Sequence, residues 1–321
     1  MCDGVGMKRF ICLIVSLAVC LSLLSGCAAG ERDSGKLSVV CTIFPQYDIV
    51  RNIAGDSVEL KMLLPYSMES HDFKLENLSV KDLQTVSEAD IIISVGGPSD
   101  SSWINELKKK VGNDTQKWVE LSSMTETLCA EEHHHGEHDH DHDHSDNEID
   151  EHIWTSPGRM VQASLYITNI LKAADPEISS VCDKGLIDYI TELRLMEIEL
   201  SSIGQRAQKP IIFADRFSFR YLFHDYGLEY EAAFTGCSSS VDPSALQIAS
   251  LTQKALDNKA TTVFYMENSN TKYAQKIAAA VGAKTAMLHS CHNLSREEFK
   301  KGETYVSLMK KNINALKEAV K

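Results

Sequence analysis

Leu37-Ser-Val-Val-Cys-Thr-Ile-Phe44 and Val58-Glu-Leu-Lys-Met-Leu-Leu64, with Tyr47-Asp-Ile-Val-Arg-Asn-Ile-Ala54 between them, decide the architecture of this chain. Two β-rich runs flank a segment of helical spacing, which is the pattern of a strand–helix–strand unit in a parallel sheet. The pattern continues outward. Leu75, Leu78, Leu83 and Val86 share one helix face, and Ala89–Val95 reads as a buried strand closed by Gly96-Gly97-Pro98. Trp103–Val111 reads as a helix and Trp118–Leu121 as a short strand. A second series begins at Pro210, with strands over Ile211–Ala214, Tyr230–Phe234, Thr261–Met266 and Lys284–Leu288. Helices over Phe219–Tyr226, Pro243–Asn258 and Thr271–Val281 separate them, and a last helix runs from Glu303 to Val320.

The expected fold is therefore α/β, with two lobes, each a central parallel sheet flanked by helices. Pro157–Ala173 and Pro176–Gln208 lie between the two series. The second of these has no internal proline and, if continuous, makes a connecting rod of about 50 Å. Gly185 and Gly204 weigh against an unbroken helix. The expected divisions are an N-terminal lobe over 37–156, connecting helices over 157–208 and a C-terminal lobe over 209–321.

Ahead of the first lobe, Lys8-Arg9 precede an apolar run from Phe10 to Leu24 that closes with Leu24-Ser25-Gly26-Cys27. A charged start, a short apolar stretch and small residues before a cysteine make a secretory signal over 1–26, too short for a comfortable transmembrane helix. Leu-Ser-Gly-Cys resembles a bacterial lipobox, which implies that Cys27 becomes the lipid-modified first residue, with 27–36 as a linker. That places the remainder outside the cytoplasmic membrane, in a periplasm if the host has an outer membrane. Of nine cysteines, five remain beyond Cys27, at 41, 129, 182, 237 and 291. An odd set so sparsely placed defines no disulfide framework.

Residues 131–150 read E-E-H-H-H-G-E-H-D-H-D-H-D-H-S-D-N-E-I-D, with imidazoles at His133, His134, His135, His138, His140, His142 and His144. Such a tract has nothing to fold around until Ile149, and its evident chemistry is divalent-metal coordination. Ordering it costs conformational entropy, so it is expected to bind more weakly than a preformed site. Its affinity is expected to fall below about pH 6.5 as imidazoles protonate. The net charge of −13 is concentrated in this stretch, and the rest of the chain is nearly neutral. A nucleic-acid partner has no electrostatic support.

Five histidines lie outside the tract. His71 follows the strand Val58–Leu64, and His289 ends Lys284–Leu288. Ligand sites of open parallel sheets lie beyond the carboxyl ends of their strands, so these two, one from each lobe, are expected to converge on an inter-lobe cleft. His152 stands where the chain passes toward the connecting helices. His224 is read as a surface residue.

The segments Pro65-Tyr66-Ser67-Met68-Glu69-Ser70-His71-Asp72-Phe73 and Glu151-His152-Ile153-Trp154-Thr155-Ser156-Pro157 resemble the first two ligand segments of cluster A-I solute-binding lipoproteins of metal ABC importers, the zinc-binding ZnuA type above all. The resemblance spans Leu37–Lys321, and the adjoining histidine-rich loop is typical of zinc members. It implies a receptor, not an enzyme, that binds Zn2+ as cargo and hands it to an ABC permease with its ATPase. A monomer is expected, membrane-bound through Cys27. The family's first two ligands fall on His71 and His152. Its third falls on Arg216, whose guanidinium cannot coordinate an ion. Its fourth is matched to His289.

The expected site is thus His71, His152 and His289, with the last position open to water, Glu267, Cys291 or His292. For His292 a structural role is the simpler reading, as hydrogen-bond acceptor is for Glu267 and buried thiol for Cys237 and Cys291. Asp215 and Arg216 are expected at the cleft wall, as a salt bridge or with Arg216 holding an anion. Neutral imidazoles suit zinc. A manganese receptor is the alternative, disfavoured because manganese prefers carboxylates. A secreted zinc hydrolase using Glu267 as base is a further one, disfavoured because no H-E-x-x-H or similar compact motif is present.

Overall fold

The computed structural model describes residues 35–128, 149–234 and 242–321. The signal segment, Cys27, the seven tract histidines, Cys129 and Cys237 lie outside the described residues.

The first lobe is built from β1 (Leu37–Cys41), α1 (Phe44–Ala54), β2 (Val58–Met62), α2 (Val80–Glu88), β3 (Ile91–Ser94), α3 (Pro98–Val111) and β4 (Lys117–Glu120). Its four strands are parallel in the order β2-β1-β3-β4, with Leu37 opposite Val58 and Val39 opposite Ile91. β3 is Ile-Ile-Ile-Ser and buried throughout, as a central strand covered by helices on both faces should be. After α4 (Pro157–Ala174) and α5 (Ser179–Arg206), the second lobe repeats the plan. It comprises β5 (Ile211–Phe213), α6 (Arg220–Tyr226), β6 (Tyr230–Ala232), α7 (Ala245–Asp257), β7 (Thr262–Met266), α8 (Lys272–Val281), β8 (Lys284–Leu288), α9 (Arg296–Lys300) and α10 (Tyr305–Ala319). Its order β6-β5-β7-β8 is the same arrangement as in the first lobe, again all parallel.

Departures from the sequence reading occur at helix starts. Phe44 begins α1 instead of ending β1, and α3 starts at Pro98, five residues before Trp103. In both helices a proline sits in the first turn, where its missing N–H costs nothing. Leu75 and Leu78 belong to a short turn before α2, not to α2 itself.

α5 is unbroken over 28 residues, about 42 Å, and packs against α4, α1, α6 and α10. Its two glycines are contact points. A Cβ on Gly185 would stand 2.4 Å from the Ile53 carbonyl oxygen, and one on Gly204 1.8 Å from that of Tyr226. One glycine therefore lets the rod touch the first lobe and the other lets it touch the second.

Candidate metal centre

Loop residues 65–73 follow β2 and are tied directly to the loop after β8. Ser67 N–H donates to the Leu294 carbonyl (2.9 Å), and the Asn293 amide donates to the carbonyls of Pro65 (2.6 Å) and Met68 (2.9 Å). These bonds carry His71, from the first lobe, up to His292, from the second. Between them sits the turn Ile153–Thr155. Trp154 is fully buried there, its indole N–H donating to the Ser290 carbonyl (2.9 Å) and its own carbonyl accepting from the Tyr305 hydroxyl (2.7 Å). The indole lies 5.2 Å, centroid to centroid, from the rings of both His152 and His292.

Three imidazole rings lie close together, and two of them, His71 and His152, offer ligand atoms to a common point. Ring centroids are 5.8 Å apart for His71 and His152, 6.1 Å for His71 and His292, and 6.2 Å for His152 and His292. Glu151 joins them: potential ligand atoms of His71, Glu151 and His152 all lie within 4.8 Å of one another, and His71 Nε2 is 3.7 Å from Glu151 Oε1. Zinc bonds of about 2.0–2.3 Å place ligand atoms roughly 3.3–3.8 Å apart, so a small contraction seats an ion.

Partners outside the cluster orient these groups. His152 Nδ1 lies 2.8 Å from Asp150 Oδ1, which leaves Nε2 as its coordinating atom. Burial pushes the Asp150 carboxyl up, but the charge and hydrogen bonds of His152 outweigh it and hold that carboxyl below its ordinary value. Glu151 accepts from Ser99 N–H (3.0 Å) and from the Ser99 hydroxyl, at the first turn of α3, where backbone N–H groups favour a negative charge. Gly97 makes room for it, since a Cβ there would stand 2.3 Å from Glu151 Cβ. Burial, then the neighbouring His152, His71 and Arg216, drive the His292 imidazole well below its ordinary value. His292 is therefore neutral at pH 7, as coordination requires. The imidazoles of His71 and His152 with the carboxylate of Glu151 form a donor set that fits zinc, and the ring of His292 borders it.

His289, expected to be the third imidazole, faces elsewhere. Its Nδ1 accepts from Cys291 N–H (2.9 Å) and lies 3.7 Å from Glu267 Oε1, while its Nε2 faces Glu298 Oε1 at 3.5 Å. The cause is the tight turn Leu288–Asn293, in which Cys291 takes a left-handed φ of 59°. That kink separates the directions of His289 and His292. Glu267 accepts from Ser290 N–H (2.8 Å) and the Ser290 hydroxyl, and Cys291 is a buried free thiol donating to the His289 carbonyl (3.6 Å). The expected side-chain bridge between Asp215 and Arg216 is replaced. Asp215 accepts from the backbone N–H groups of Arg216 (2.8 Å) and Met266 (3.4 Å), whereas the Arg216 guanidinium pairs with Glu69 (3.5 Å). His224 is exposed beside Asp225.

Sequence reasoning missed Glu151 and Glu69. Glu151 had a signal, being the residue before His152 in the most distinctive segment, while nothing marked Glu69.

The sequence model of a family described as "Zinc-uptake complex component A periplasmic" matches residues 39–319. The zinc-binding lipoprotein AdcA of Streptococcus pneumoniae is 28% identical over 312 residues, covering 97% of this chain but 61% of that protein. This chain thus spans under two thirds of that relative. The high-affinity zinc uptake system protein ZnuA of Bacillus subtilis is 29% identical over 310 residues, 95% of this chain and 96% of the relative. Among solved structures, the Zn(II)-bound ZnuA-like domain of Streptococcus pneumoniae AdcA superposes with a TM-score of 0.72 at 26% identity, over 89% of this chain and 99% of that one.

Proposed function

The chain belongs to the zinc-uptake component A family, and from that membership together with the His71–Glu151–His152 cluster we propose that it is an extracytoplasmic zinc receptor of an ABC importer. It binds Zn2+ as cargo through His71, Glu151, His152 and His292, and delivers it to a membrane permease driven by a cytoplasmic ATPase. The protein acts as a monomeric receptor, held at the membrane by a lipid on Cys27. Zinc is favoured over manganese because three of the four donors are imidazole nitrogens. A hydrolytic role has no H-E-x-x-H or similar compact motif to carry it.

The carrying observation is the convergence of His71 and His152 with Glu151 within 4.8 Å, bordered by the ring of His292. The test is metal content and zinc affinity of the purified protein, by chelator competition, with His71→Ala, His152→Ala and His292→Ala. Each substitution is expected to cost more than the roughly 10- to 100-fold typical of residues that merely orient a ligand. Unchanged affinity in His152→Ala would overturn the reading.

A further inference from the structure

Arg216 stands where the sequence resemblance placed a metal ligand, and the structure shows what occupies it. The segment Ala214–Phe219 is anchored by aromatic packing: Phe217 and Phe219 are buried against Phe213, with ring centroids 5.2 and 5.5 Å away, and Phe217 stacks on Tyr230 at 3.5 Å. Asp215 fixes the Arg216 backbone N–H. Held this way, the guanidinium of the second lobe pairs with Glu69 Oε1 of the first at 3.5 Å, with both side chains about four-fifths buried. The other oxygen of Glu69 lies 3.9 Å from His292 Nδ1, and the next residue, Ser70, donates its N–H to His292 Nε2 at 3.3 Å. A second carboxylate therefore borders the three-imidazole cluster and is engaged by a cation.

We propose that Arg216 determines metal selectivity by holding Glu69 outside the ion's coordination shell. The inference rests on the zinc-receptor reading. With Glu69 paired to Arg216, the ion meets His71, His152 and one oxygen of Glu151, and gains a third nitrogen only when His292 Nε2 leaves the Ser70 N–H. Such a shell is four-coordinate and suits zinc. Released from Arg216, Glu69 supplies one or two further oxygens, giving a harder site of higher coordination number that suits manganese better. Arg216 is a positioning residue, since a guanidinium does not touch the cation it acts on.

The experiment measures zinc and manganese affinities by chelator competition for the full chain, its Arg216→Gln and Arg216→Lys variants, and the Arg216→Gln/Glu69→Gln double variant. The visible spectrum of each cobalt(II) derivative reports coordination number. Arg216→Gln is expected to shift the zinc-to-manganese affinity ratio toward manganese by about tenfold, with the intense four-coordinate cobalt bands weakening. Arg216→Lys, which keeps the charge, is expected to retain most of the zinc preference, and the double variant to return to the parent ratio and spectrum. An unchanged ratio in Arg216→Gln, or a shift that persists in the double variant, overturns the proposal while leaving the receptor reading intact. Failure of the unsubstituted chain to bind zinc, or zinc binding indifferent to His152→Ala, overturns the receptor reading itself and this inference with it.

Discussion

His289 and His292 are three residues apart in one loop, yet they have different work. His292 is neutral and borders the cluster; His289 bridges Glu267 and Glu298. The account predicts that His292→Ala loses zinc affinity while His289→Ala keeps it and loses stability, which chelator competition and thermal unfolding on the same two variants will separate. Glu298 gives a second prediction. It is the third residue of α9, caps Ser295 N–H (2.8 Å), and its hydrogen bond with His289, the largest cause, lowers its carboxyl from 4.5 to about 2. A group depressed in the folded state stabilises above its unfolded value and loses that contribution as pH falls through the folded one. Unfolding free energy should therefore drop between about pH 4.5 and 2, and Glu298→Gln should flatten that drop while lowering stability at neutral pH. An unaltered pH profile in urea titrations would refute the assignment. His71 and His152 were legible because the segments 65–73 and 151–157 that carry them resemble the family's first two ligand segments. The sequence could not distinguish His289 from His292, because the answer lies in one left-handed residue, Cys291, that no pattern marks.

Strands were the most legible elements, since runs such as Ile91–Ser94 and Thr262–Met266 combine β-branched or aromatic residues with clear punctuation. Helix starts were less so, because Pro45 and Pro98 sit inside their helices and not before them. Weighing Gly185 and Gly204 by helix propensity alone pointed the wrong way: a close approach of backbone, not a break, accounts for both. On propensity, Gly→Ala in a helix gains about 1 kcal/mol. Here Gly204→Ala is expected to cost about 2 kcal/mol instead, because its methyl group meets the Tyr226 carbonyl, which cannot give way as a side chain can. Chemical denaturation of Gly204→Ala checks the sign, and a stabilised variant would contradict the packing described for α5.

Across the whole molecule, the two lobes share one strand order, and the proposed metal cluster takes His71 and the Glu151–His152 pair from the first lobe, with the ring of His292 from the second bordering it. Cargo binding should therefore tie the lobes together, and zinc at a hundred times its dissociation constant should add about 2.7 kcal/mol to stability, read as a rise in Tm. The histidine tract belongs to the same scale. Deleting Glu132–Ser145 is expected to leave the affinity of the main site unchanged while reducing uptake at low zinc; unimpaired uptake would remove the capture role from the tract. The central claim, that one ion joins imidazoles of both lobes, is tested most directly by anomalous scattering at the zinc edge from crystals of the zinc-loaded protein. The account predicts a single strong peak within about 2.0–2.3 Å of His71, His152 and His292, with Glu151 completing the shell. A peak bonded to His289 in place of His292, or one held by residues of a single lobe, would contradict it.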